Sequence, residues 1–336
     1  MRENVAEVNM LLAGDIGGTK TLLGLYDTGG PGGNAGRPRQ VVMRVFTTLD
    51  YPDLETIIRA FMADEPVKSA TLDAACFGVA GPVVGTSAQL TNVPWRVDAT
   101  AIAAAFKIRR VGLLNDLESM AYGVPALVAS ELQVLQEGEP VAGGNVGVIA
   151  AGTGLGEAFL HSVRGRLIPC ASEGGHADFA ARNEREIVLL RDLIRRIGRA
   201  EVEQVVSGHG LLNIHRVTHT GACPAVPDAA DPHAAAAISI AALERRCSGC
   251  VEALEIFVDA YGAEAGNLAL RTIATGGVFI GGGIGPKILP ALTDGRFMRA
   301  FLDKAPFEAM LRKIPVKVIL NPEVGLLGSA VHANEL

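Results

Sequence analysis

The sequence predicts an α/β protein built as two related lobes, and three observations carry that prediction. The chain has 336 residues, enough for two domains or for one domain split into lobes. A strand–turn–strand segment with a glycine-rich tip occurs twice, at Leu11–Asp27 and at Gly147–Leu160. Each is followed by further strand and helix patterns, so the order hairpin, strand, helix comes twice, although no sequence repeat is obvious.

The first hairpin reads LLAGDIGGTKTLLGLYD: an apolar run, a sharp turn beside the acid Asp15, and a second apolar run. Gly17 and Gly18 let the backbone take positive φ and approach a ligand closely. Amides at the tip and the Thr19 hydroxyl can then donate to phosphate oxygens, and Asp15 can face a metal ion or its water shell. The same residues also suit an ordinary hairpin in which Asp helps form the turn. The second hairpin, GVIAAGTGLGEAFL, has the same layout around Gly152, Thr153, Gly154 and Gly156. Two such tips in one chain can hold a polyphosphate from both sides. Neither is a common nucleotide motif. Thr19, where a Walker A loop has Gly, precedes Lys20, and a strand pattern follows where that loop needs a helix. The last glycine of Gly152–Gly156 falls one residue early for a dinucleotide fold.

Strands are predicted over Val8–Ile16, Thr21–Tyr26, Val41–Thr47 and Asp73–Val79, with a flexible loop at Pro31–Gly36. Leu54, Ile57, Ile58, Phe61 and Met62 follow helical spacing. Val111–Leu114 is a short strand ending on Asn115 and Asp116, and a helix pattern begins at once. A second region opens near Pro125. Asn183–Glu186 reads as a capping box ahead of an amphipathic helix. Ala222–Ala237 reads as a loop, and helices are expected over Ala241–Asp259 and Ala263–Ala274. Gly277–Ile280 is a strand, Pro286 starts a helix, Val316–Leu320 is the last strand and Val324–His332 the last helix.

Composition narrows the function classes. Hydrophobic residues make up 49% and charged residues 20%, as in a compact enzyme with a large core. The net charge of −6 leaves no footprint for nucleic acid. No apolar run reaches the length of a membrane span, and the charged N-terminus lacks the apolar segment of a signal peptide. Five cysteines, an odd number, suit reduced thiols in a cytoplasmic protein. Cys247 and Cys250 form a CxxC with no second CxxC or His pair after it, so a place in a buried helix is expected.

Several polar residues can carry chemistry. Asn115 and Asp116 stand at a strand end, where α/β sheets bind ligands; Asp116 can accept a proton from a substrate hydroxyl, or cap the helix. Glu173 and His176, three residues apart with glycines between, suit vicinal hydroxyls, or a solvated loop. Glu203 alone reads as a surface helix acid. Gly282 and Gly283, in the run Gly281–Gly285, can pack flat on a nucleotide base or ribose.

The strings GDIGGTKT, FGVAGPV, LTNVPW, LLNDLESMAYG, AAGTGLGEA, SEGGHADFA, EQVVSGHGL, GGVFIGGGI and NPEVGLLGSA run in order from Gly14 to Ala330. In this the chain resembles the bacterial glucokinases of the non-ROK type, within the actin-like sugar-kinase superfamily. The resemblance implies two actin-like (ribonuclease H-like) α/β lobes with mixed sheets flanked by helices and an active site in the cleft between them. It implies a smaller lobe of residues 8–125 plus 317–336 and a larger one of 126–316. It implies ATP-dependent phosphorylation of glucose at C6, with Asp116 as catalytic base and Asn115, Asp116, Glu173, His176 and Glu203 on the sugar. Gly14, Asp15, Ile16, Gly17, Gly18, Thr19, Gly152, Thr153, Gly154, Gly282 and Gly283 then hold ATP. Asp15 holds Mg²⁺ through water, and the expected assembly is a cytoplasmic homodimer without nucleic-acid or membrane partners. His209 stands where the family more often has Pro, which is expected to loosen that turn. The ROK branch carries a CxCGxxGC zinc motif after its Glu-x-Gly-His; nothing like it follows His176, so no structural zinc is expected. The readings that compete with glucose are a kinase for another hexose and a catalytically silent sugar sensor. Sensors of this fold carry a helix-turn-helix ahead of it, and the first hairpin here is expected to begin by Val8.

Overall fold

The computed structural model describes residues 10–28, 36–65, 67–91, 93–219, 221–226, 228 and 231–336. The start of the first predicted strand and most of the Pro31–Gly36 loop lie outside these residues. The chain divides into two units, residues 1–128 with 323–336, and residues 129–322.

In unit 1, β1 (Met10–Ile16), β2 (Lys20–Asp27) and β3 (Arg39–Thr47) form an antiparallel meander. Helix α1 (Leu54–Met62), capped by Asp53 through the Thr56 N–H, leads to β4 (Leu72–Val79), which pairs parallel with β1. A small sheet that the sequence reading missed follows: β5 (Val83–Val84), β6 (Ser87–Gln89) and β7 (Arg96–Asp98). Helix α2 (Ala99–Phe106), β8 (Arg110–Asn115) and α3 (Asp116–Gly123) complete this segment. The main sheet has the order β3-β2-β1-β4-β8. Strand alternation sends Leu12, Leu23, Leu25, Ala75 and Phe77 to a core under α1 and α2. Leu11, Ala13, Leu22, Tyr26, Ala74 and Cys76 go to the opposite core, with Leu326, Ala330 and Ala333 of the C-terminal helix, Val324–Glu335.

Unit 2 repeats this plan. Its strands are β9 (Leu132–Gln136), β10 (Val146–Ala151), β11 (Leu155–Val163), β12 (Arg166–Ser172), β13 (Gly277–Gly281) and β14 (Val316–Ile319), with helices numbered in chain order α4 (Glu184–Ile197), α5 (Gly208–Thr218), α6 (Ala234–Leu243), α7 (Ser248–Thr272), α8 (Leu289–Thr293), α9 (Arg296–Leu302) and α10 (Glu308–Leu311). The sheet order is β12-β11-β10-β13-β14-β9. β10, β13 and β14 are parallel, β11 is antiparallel to β10 and β12 is antiparallel to β11, the same meander as in unit 1. β9 is an added edge. β14 lies across the boundary expected at residues 316 and 317. It pairs with β13 on one side and β9 on the other, so the whole strand belongs to the second sheet.

The helical part of unit 2 corrects three expectations. The loop of Ala222–Ala237 ends early, because α6 begins at Ala234. The helix expected over Ala241–Asp259 breaks at Arg245, whose φ of 55° turns the chain back. Conversely, the gap expected between Asp259 and Ala263 is continuous helix, since α7 runs unbroken for 25 residues. Gly262 does not end this helix: a Cβ there would overlap the Phe297 carbonyl, so the glycine admits α9 close against α7.

Candidate active site

In unit 1 the carboxyl ends of three parallel strands lie side by side. Ile16 pairs with Val79, and Val79 with Asn115, so the first glycine turn and the Asn115–Asp116 pair adjoin. The turn is tied from below. Gly17 N–H donates to Lys20 C=O (3.0 Å), Thr48 Oγ1 donates to Gly17 C=O (2.9 Å) and Thr48 N–H donates to Thr19 C=O (3.0 Å). Gly18 and Thr19 occupy the accessible tip. Gly14 and Ile16 are buried within β1: Gly14 leaves room for Phe77, and its carbonyl accepts from Ser329 Oγ (2.7 Å).

Asp15 lies beside the N-terminus of the C-terminal helix, where a Cβ on Gly325 would stand 3.1 Å from its Oδ2. Burial, and next the charge of Asp116, push its pKa up to about 6, with Lys20 pulling the other way. Asn115, not Asp116, is the N-cap of α3. Its Oδ1 accepts from Leu117 N–H (2.9 Å) and its Nδ2 donates to Gly81 C=O (3.2 Å). The cap reading of Asp116 is therefore displaced by one residue. Asp116 is the first helical residue, and its Oδ1 also accepts from Leu117 N–H (2.9 Å).

In unit 2 three elements converge on the second hairpin. Its turn is closed by Gly152 N–H donating to Gly154 C=O (2.8 Å), and Gly208 N–H donates to Gly152 C=O (2.9 Å). Glu203 Oε2 accepts from Leu155 N–H (2.8 Å), and a Cβ on Gly154 would press against the Glu203 carboxylate. Glu203 is thus no stray surface acid. The SEGGH loop lies flat on the start of β11, because side chains at Gly174 and Gly175 would overlap the Glu157 carboxylate and the Leu155 carbonyl. This places His176 among acids. Its Nδ1 is 2.7 Å from Glu201 Oε2 and its Nε2 is 4.0 Å from Glu173 Oε2. The hydrogen bond to Glu201 raises the His176 pKa, and Glu203 and Glu173 add to it. Gly282, at φ 80°, fits against the Ala151 backbone at the end of β10, and nothing lies within 4 Å of the place a Gly283 side chain would take. The turn at His209 is not loosened: Ser207 Oγ accepts from Gly210 N–H (2.9 Å) and donates to Glu203 C=O (2.6 Å).

The family model described as glucokinase matches residues 12–336. This chain belongs to the glucokinase family. It is 40% identical to a glucokinase of Nostoc punctiforme over 98% of this chain and 100% of that one. A crystal structure of a glucokinase from an Antarctic psychrotroph is 27% identical, with a TM-score of 0.86 over 98% of this chain and 99% of the other. A ROK-family glucokinase of Streptomyces griseus, solved in complex with glucose and AMPPNP, shares the fold at 21% identity and a TM-score of 0.64, over 98% of this chain and 100% of that one. The actin-like sugar-kinase fold expected from the motif strings is the fold observed.

Two polar residues beside the candidate site residues escaped the sequence reading. Glu201 is the extended residue that precedes the 3-10 turn Val202–Gln204 holding Glu203, and its bridge to Asp178 brings it to His176. Glu157, inside the AAGTGLGEA string, is buried. Burial and the neighbouring Glu264 raise its pKa to about 8, against the pull of Arg271. The alternation of acid and apolar residues in Glu201-Val202-Glu203 was the available signal, and it meant little until the loop of His176 was packed against it.

Proposed function

We propose that this chain transfers the γ-phosphoryl group of ATP to the C6 hydroxyl of glucose. The observation that carries this reading is the pair Asp15 and Asp116 at the carboxyl ends of β1 and β8, on either side of β4, in a chain similar to glucokinases along its length. Asp116 takes the C6 hydroxyl proton as that oxygen forms its bond to the γ-phosphorus and the bond to ADP breaks. Its place in the first turn of α3, with Leu117 N–H on Oδ1, orients the carboxylate. Asn115, Glu173, His176 and Glu203 read the sugar hydroxyls, and a sugar lacking one leaves a polar group unpaired. Gly17, Gly18 and Thr19 of the first turn and Gly152, Thr153 and Gly154 of the second offer backbone and hydroxyl donors to the phosphates, with Gly282 and Gly283 against the nucleoside.

The residues present fit a divalent cation. Burial and the charge of Asp116 raise the cost of ionising Asp15, and a hard cation relieves that cost through carboxylate oxygens or its own waters. Mg²⁺, when bound with ATP, supplies neutralisation of the phosphate charge; Asp15 is the residue that holds it. The remainder of the catalysis is positioning. A homodimer acting in the cytoplasm completes the reading. All five cysteines are free, in keeping with a reducing compartment, and among the described residues no helix is long and apolar enough to cross a membrane.

The test is glucose 6-phosphate formation from glucose and Mg·ATP, with Asp116→Ala in parallel. Activity that falls about 10²–10⁴-fold in the variant supports the base, provided glucose binding changes little. Phosphorylation of another hexose but not glucose would correct the substrate. No phosphorylation of any sugar would overturn the reading.

A further inference from the structure

Sequence spacing left Cys247 and Cys250 as a lone CxxC, because no partner motif follows it. The partners precede it. His215 lies in the last turn of α5 and His219 is its extended C-cap, the two rings lying face to face. Cys223 follows in a short turn closed by Val226 N–H donating to Cys223 C=O (3.0 Å). Cys247 caps α7 and Cys250 lies in its first turn. Packing of α5 against α7 brings all five together. The donor atoms of His215, His219, Cys223 and Cys250 lie within 4.8 Å of one another. Cys247 Sγ is 3.1 Å from His219 Nε2 and 3.7 Å from Cys223 Sγ, and Cys223 Sγ is 3.7 Å from Cys250 Sγ.

These distances are far too long for disulfides, whose sulfurs are about 2.05 Å apart. The two sulfur–sulfur distances match the edges of a coordination tetrahedron: zinc–sulfur bonds of about 2.3 Å put two thiolates about 3.8 Å apart. The histidine is prepared for the same role. His219 Nδ1 lies 3.0 Å from the His215 carbonyl. A carbonyl only accepts, so Nδ1 carries the hydrogen and Nε2 presents its lone pair to Cys247, the arrangement by which outer partners orient a metal-bound imidazole. Thr218 Oγ1 donates to Gly249 C=O (2.9 Å), tying the end of α5 to the middle of the CxxC. A Cβ on Gly249 would crowd the His219 ring, so the glycine between the cysteines makes room for it. Cys223 and Cys250 are buried at 5% and 0% exposure.

We propose that His219, Cys223, Cys247 and Cys250 bind one structural Zn²⁺. Three thiolates and one imidazole fill a tetrahedral shell and leave no open place for substrate, which makes the site structural and not catalytic. On binding, the ion replaces the thiol protons, which leave to solvent. His215, whose buried Nε2 has no hydrogen-bond partner, stacks on His219 with ring centroids 3.8 Å apart, and in this assignment Cys247 takes the fourth place in the shell instead of it. The ion would clamp the C-terminal end of α5, whose N-terminal end carries the Gly208 contact to the second hairpin, about 16 Å away at 1.5 Å per residue. The sequence expectation of no zinc rested on the residues just after His176, and this cluster is built from two helices farther along.

Purified protein, freed of loose metal by gel filtration, should hold about one zinc per chain by elemental mass spectrometry. Replacing it with Co²⁺ should produce the intense visible bands of tetrahedral cobalt together with a thiolate charge-transfer band; this readout needs no variant and no activity. Cys223→Ser and Cys250→Ser should lose the metal, and His215→Gln should keep it. Metal-free protein whose Cys223, Cys247 and Cys250 all react as free thiols would overturn the proposal. So would a Cys247–Cys250 disulfide in the protein as isolated, or an octahedral cobalt spectrum. Loss of metal in His215→Gln with retention in Cys247→Ser would overturn the ligand assignment.

Discussion

Ser329 Oγ lies 2.8 Å from Ser119 Oγ in a buried seam where the C-terminal helix crosses α3. Around this contact Ser329 accepts from Gly78 N–H (3.1 Å) and donates to Gly14 C=O (2.7 Å), while Ser119 donates to Gly325 C=O (2.8 Å). Two hydroxyls therefore join β1, which carries Asp15, to α3, which carries Asp116. Hydroxyls suffice because the helices are nearly in backbone contact: a Cβ on Gly328 would overlap the Ser119 carbonyl.

Ser329→Ala should leave Gly78 N–H and Gly14 C=O short of partners in a dry seam and lower stability by about 1–3 kcal/mol. Gly328→Ala should cost more, because the helices must separate. Chemical denaturation checks both. An unchanged midpoint in Gly328→Ala would show that the helices are not in this contact.

Asp15 should show a trade between stability and function. Its folded pKa is raised, so the folded state holds the proton more tightly than the unfolded state. The stability this contributes is complete below the unfolded value near 4 and is lost as pH rises through about 6. Asp15→Asn should then be more stable than the parent at neutral pH, on the order of 2 kcal/mol, with the difference vanishing at acid pH, while Mg·ATP-dependent turnover collapses. Melting curves against pH decide it; a variant less stable at every pH would refute the account.

His176 should titrate above an ordinary histidine, chiefly because Glu201 bonds its Nδ1. The stabilisation from this pair is present below the unfolded histidine value and is lost as pH rises through the raised one. Glu201→Gln should bring the His176 titration down and raise the glucose KM more than it lowers kcat. Proton NMR of the ring follows the first effect, and an unmoved titration would mean the pair does not form in solution.

Glu203 joins the second hairpin through Leu155 N–H. Glu203→Ala removes that acceptor together with the sugar contact proposed for it, and kcat/KM for glucose should fall about 10–100-fold, the worth of a hydrogen bond to a charged group. Glu203→Gln keeps an oxygen for Leu155 and should lose less. Equal losses in the two would mean that the charge, not the anchoring bond, carries the effect.

What the sequence determined by itself is local. Adjacent residues alternate between the faces of β1, β2 and β4, and Asn183 caps α4 through Glu186 N–H (3.1 Å), because each such signal is set by neighbours in the chain; the positive φ expected at Gly17 and Gly18 is not adopted. The family strings singled out Asp15, Asp116, Glu173, His176 and Glu203 as candidates. Tertiary structure decided everything that depends on a distant surface. Gly262 continues α7 because Phe297 lies over it, although glycine in isolation weakens a helix. Asn115 takes the cap because Gly81 C=O holds its amide, which leaves Asp116 the first place in the helix. Glu201 acquires a role only when the His176 loop packs beside it. The cysteine–histidine cluster joins residues 24–28 apart in the chain. Spacing cannot reveal such a set, since it is the packing of α5 on α7, and not any local pattern, that turns five scattered side chains toward one point.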